Sequence, residues 1–67
     1  MNIPGFSTAG LLKLHSAILE ALQVDDNAPE GYTKMYGVRD FSDWRVTAEE
    51  IEAELGSRKV KYAKIPW

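Results

Sequence analysis

The sequence has no cysteine among its 67 residues, so neither a disulfide nor a thiolate metal site can brace the fold. Its one histidine, His15, leaves only carboxylates for any metal centre. Asp25-Asp26-Asn27 lacks the spaced ligands, glycine and closing glutamate of a calcium loop, and no metal or other cofactor is expected. The five glycines stand singly, which excludes a glycine-rich phosphate loop. No stretch approaches the roughly eighteen apolar residues of a membrane-spanning helix. A basic leader is also lacking, and Lys13 and His15 interrupt the first apolar stretch, which argues against a signal peptide. Together these absences predict a soluble, cytoplasmic protein.

What is present suits a small globular domain spanning residues 1–67. Hydrophobic residues make up 45% and charged residues 27%, enough of the first to attempt a core and too few of the second for wholesale disorder. A core of this size supplies only about 3–5 kcal/mol. With no disulfide or metal to help, self-association is the expected supplement. Charge is unevenly placed. Residues 1–57 carry all ten acids and four of the eight bases, a balance of −6, whereas residues 58–67 carry four bases and no acidic side chain. Such asymmetry marks either an interaction tail or a segment that neutralises an acidic neighbour in the same fold.

MNIPGF reads as an extended lead-in with a Pro4-Gly5 turn. Ser7 is a helix N-cap, with Phe6 and Leu11 placed as a hydrophobic staple. From Leu11 to Val24 the helical period is clear: Leu14, Ile18, Leu11, Leu22, His15, Leu19 and Leu12 fill one arc of about 160°. That arc is broad enough for a sheet on one side and a second helix, or a second copy of the chain, on the other. DDNAPEG ends the helix, because its residues all favour turns.

YTKMYGV is rich in strand formers, with Tyr32, Tyr36 and Val38 sharing a face. In DWRV, Trp44 and Val46 alternate with Asp43 and Arg45. The two segments predict a hairpin. TAEE, over Thr47–Glu50, is a capping box for a short second helix, with Ile51 and Leu55 on its inner face, Glu49, Glu52 and Glu54 outward, and Gly56 as its left-handed stop. SRKVKYAKIPW then reads as a third strand, Val60 and Tyr62 alternating with Lys59 and Lys61 until the parity breaks at Ala63. The predicted fold class is α+β, order α-β-β-α-β, a three-stranded sheet with both helices packed on one face.

Chemistry has few footholds. His15 lies mid-arc, where a histidine satisfied by the rim of the core is commoner than a general base or pH switch. Asp40 and Asp43, flanked by Arg39 and Arg45, could split acid and base roles. Loops of this kind more often form surface pairs, and so small a fold offers little pocket. The expected function is therefore non-enzymatic: a protein-interaction domain, self-associating or binding another protein, with Leu12, Leu19 and Trp67 as candidate contacts. The alternative is single-stranded nucleic-acid binding by the basic, aromatic last strand, through Tyr36, Lys59, Lys61, Tyr62 and Lys64, with bases stacking on the tyrosines beside the lysines. Lysines that guard a strand edge explain the same pattern without a ligand.

Overall fold

The computed structural model describes residues 2–29, 31 and 34–67. Two helices and one short turn carry the architecture. A 3₁₀ turn covers Ile3–Gly5, with Pro4 in its first turn. Helix α1 spans Thr8–Asp26 and helix α2 spans Ser42–Ser57. No strand occurs among the described residues. The expected three-stranded α+β arrangement is thus corrected to an all-helical pair.

Helix α1 starts where its sequence says it should. Ser7 Oγ accepts the Gly10 N–H at 3.0 Å, taking up one of the first-turn donors that has no partner within the helix. The apolar stripe then buries Leu11, His15, Ile18, Ala21 and Leu22. The helix runs two residues past Val24, through Asp25 and Asp26.

Helix α2 begins at Ser42, five residues before the capping threonine expected at Thr47. The alternation in DWRV is also compatible with a helical first turn. Trp44 lies four residues before Ala48, seven before Ile51 and eleven before Leu55, so all four share one face. Ala48, Ile51 and Leu55 are fully buried. Burying this longer stripe outweighs a two-residue period held over only four residues. Arg45 and Glu49, 3.0 Å apart at i,i+4, fall on the solvent side.

The stop of α2 is not Gly56, which lies within the last helical turn. Lys59 takes the left-handed conformation, with φ of 58°. Its N–H donates to the Gly56 carbonyl at 3.0 Å, and the Val60 N–H donates to Leu55 at 2.9 Å. This double closure is a Schellman motif, with Val60 and Leu55 as its apolar partners. A lysine in the left-handed region costs roughly 1–2 kcal/mol, part of which glycine returns through its freedom in the unfolded chain. Lys59→Gly is therefore expected to raise the stability by about 1 kcal/mol. Gly56→Ala adds up to about 1 kcal/mol, since a Cβ there meets nothing within 4 Å. Urea unfolding of each variant measures the gain.

The expected third strand is a tail with no regular structure and no ladder partner among the described residues, which explains the parity break. Free of a ladder, the chain turns so that Val60, Tyr62 and Trp67 are half-buried and Ile65 is buried. YTKMYGV is not a described strand either: Tyr32 and Thr33 lie outside the described residues, and the chain bends at Met35 and Tyr36.

The helices run antiparallel. Arg58, just beyond α2, donates from Nη1 to Thr8 Oγ1 and from Nη2 to the Pro4 carbonyl, each at 3.1 Å, while its Nε meets Glu54 at 2.8 Å. Arg39 ties the other end. Its Nε and Nη2 grip both oxygens of Asp26 at 3.0 Å, and it also donates to the backbone oxygens of Pro66 and Trp67. The molecule measures 41 × 20 × 16 Å. A helix with its side chains is about 10–12 Å across, so the pair forms little more than one layer and leaves helix flanks uncovered. No helix among the described residues is long and apolar enough to cross a membrane.

Candidate functional site

Asp25 builds the segment that shapes an apolar groove beside α1. It lies on the apolar stripe of α1, seven residues after Ile18, and is 1% exposed. Its Oδ1 accepts the Tyr36 N–H at 3.0 Å and its Oδ2 the Val38 N–H at 2.8 Å. Its carbonyl accepts Lys34 Nζ at 2.8 Å. Burial pushes this carboxyl up, but the Val38, Tyr36 and Gly37 N–H groups and the nearby Lys34 charge outweigh that, leaving it below the ordinary value. Asp26 is also lowered, first by its hydrogen bonds to Arg39, against the opposing effect of burial. The same bonds raise Arg39.

Gly37 makes the return turn possible. Its φ is 67°, which strains any side chain, and a Cβ would stand 2.8 Å from the exposed Phe41 ring, which would have to move aside. The Gly37 carbonyl accepts the N–H groups of Asp40 and Phe41, both at 3.0 Å. This compact turn inserts Val38 into the core and sets Tyr36 edge-on to Trp44, with ring centres 6.0 Å apart.

The result is an open apolar groove of about 410 Å³ between α1 and the start of α2. Leu14, Ala17, Ile18, Ala21 and Val24 form one wall, and Tyr36 and Trp44 the other. It continues past Leu14, Ile18 and Trp44 toward Asp43 and Thr47. Val24 is 46% and Tyr36 42% exposed, and the neighbouring Met35 is exposed as well. A second recess, of about 430 Å³, lies beside Arg39, Phe41, Arg45 and Trp67. Its arginines are paired within the fold, Arg39 with Asp26 and Arg45 with Glu49.

His15 is satisfied across the helix pair. Its Nε2 is 2.9 Å from Glu52 Oε2, and the Tyr62 ring meets it edge-on at 5.3 Å. Among the described residues no hydroxyl shares that hydrogen bond, and the pair ties the two helices together. Glu52 and Glu54, expected to face outward, are half-buried partners of His15 and Arg58. Asp40 and Asp43 are exposed, and neither pairs with its flanking arginines. Among the described residues no three histidine, aspartate or glutamate side chains gather as a metal site.

The candidate contacts fall differently from one another. Leu12 and Leu19 are half-buried against the core. Trp67 packs on the same core, with the Arg45 guanidinium 5.6 Å from its ring centre. Lys59, Lys61 and Lys64 are exposed along the tail. Tyr62 packs on His15 while Tyr36 packs on Trp44, so the two tyrosines form no single row. Of the groove residues, Val24 was not singled out by sequence, Tyr36 was expected only as a nucleic-acid contact and Trp44 only on a strand face. No protein-family model, curated protein or solved structure matches this chain.

Proposed function

We propose that this chain is a non-enzymatic protein-interaction module that docks its partner in the groove between α1 and the start of α2. The observation that carries this reading is an apolar wall left open beside two aromatic rings. Leu14, Ile18 and Trp44 extend directly from the core, yet Ala17, Val24 and Tyr36 face solvent. An indented apolar surface continuous with the core suits a buried anchor residue from a partner.

Site-specific photo-crosslinking in the native host tests the proposal. A photoreactive residue at Val24 is expected to give a discrete protein adduct, whereas one at Gln23, on the opposite flank of α1, gives none. Equal labelling from both positions, or no adduct from Val24, contradicts the reading.

A further inference from the structure

Charge around the groove narrows what it can hold. Glu20 lies along one wall, and Asp43 stands at the end beside Trp44. Both are exposed, and neither has an ion-pair partner among the described residues. Among the described residues no lysine or arginine lines the groove. Lys34 is engaged on the Asp25 carbonyl, and Arg45 on Glu49. Lys13 stands on the same flank of α1 one turn before Ala17, outside the groove's lining.

Length sets the second limit. Leu14 to Val24 is ten helical steps, about 15 Å at 1.5 Å per residue. That matches roughly three turns of a partner helix offering apolar anchors at i, i+3 or i+4, and i+7.

Two occupants have this shape: a second copy of the chain, or a helix from another protein. A two-fold dimer sets the same patch against itself. It would bring two pairs of carboxylates together with no cation in the patch to offset them, and like charges across an interface are disfavoured. The tail of a second copy cannot supply the apolar stripe either, because Val60, Tyr62 and Ile65 are packed on its own core. Resting on the interaction reading above, we infer that the groove receives an amphipathic helix of a different protein, its apolar stripe flanked by lysine or arginine that meets Glu20 and Asp43.

The test pans the full chain against a displayed library of 18-residue peptides. Apolar residues are fixed at helical spacing, and Lys, Arg, Glu, Asp, Gln and Ser are mixed elsewhere. The enriched peptides are expected to carry more Lys and Arg than Glu and Asp. Glu20→Lys with Asp43→Lys should weaken the best of them at least tenfold and reverse the charge preference of a repeated selection. Glu20→Lys alone, mid-helix and exposed, provides a second variant should the double change disturb α2. Ala17→Gln, which narrows the groove without altering charge, should abolish binding. Enrichment without charge bias overturns the basic-helix inference while leaving the interaction reading in place. A dimer in sedimentation equilibrium that Ala17→Gln dissociates does the same. Absence of any enriched peptide sensitive to Ala17→Gln, with no such dimer, overturns both.

Discussion

Replacing Asp25 with alanine lowers the melting temperature by on the order of 10 °C and frees residues 34–38 from the end of α1. The reason lies in what the carboxylate leaves behind. Val38 is 1% exposed, so its N–H loses an acceptor without gaining water. A buried donor left unpaired is the expensive case for a lost hydrogen bond. The Tyr36 N–H loses its acceptor too, and with it the edge contact between Tyr36 and Trp44 loosens. Asp25→Asn does not rescue the fold, because the amide offers one acceptor and turns a donor toward the other N–H.

The same carboxylate makes stability pH-dependent, in a defined direction. Asp25 and Asp26 have folded-state pKa values below the ordinary carboxylate value. Their contribution is therefore complete above the unfolded pKa, roughly 3.9, and disappears as pH falls through that value toward the lower folded one. Thermal melts of the two proteins are expected to differ most near neutral pH and to converge in acid. A variant that melts within about 3 °C of the parent near neutral pH would refute this role.

Leu55→Ala is expected to leave much of the chain unfolded. Leu55 has no exposed surface, and truncating such a residue costs about 2–5 kcal/mol. The whole core of a chain this short supplies only about 3–5 kcal/mol. Leu55 also stands opposite Val60 in the motif that turns the tail back toward the helices, so its loss loosens Ile65 and Trp67 as well. Leu55→Met, close in volume, should cost less than about 1.5 kcal/mol. Urea titration followed by circular dichroism separates the two. An alanine variant with a loss under about 1 kcal/mol contradicts the central position given to Leu55.

These two residues also show where sequence reading works. Leu55 and Ile51 were legible as an inner face, because i and i+4 on a helix meet the same side whatever the rest of the fold does. Ser7 and the stripe from Leu11 to Leu22 were legible for the same reason. Asp25 was not, because it opens a run of turn-forming residues and a carboxylate there looks solvated. The available signal was its position, in line with Ile18 and Leu22 on the apolar stripe. DWRV was read as a strand because four residues cannot separate a period of two from one of 3.6. Extending the window to Ala48 and Ile51 brings Trp44 into the helical face.

Gly56 drew the helix stop three residues early, since the closure is made by Leu55 and Val60 and a lysine tolerates the left-handed position. The groove was invisible for a deeper reason. It exists only once Asp25 has folded 34–38 back and set Tyr36 beside Trp44, a contact that no local pattern encodes.

The central claim is an antiparallel helix pair whose connecting segment is pinned by Asp25, leaving a groove beside Trp44. A nuclear Overhauser spectrum of the labelled protein tests it most directly. The account predicts contacts from the Trp44 indole to Leu14, Ile18 and the Tyr36 ring, together with helical amide contacts through 42–46. Cross-strand contacts between 34–38 and 43–46, with Trp44 remote from α1, would contradict it.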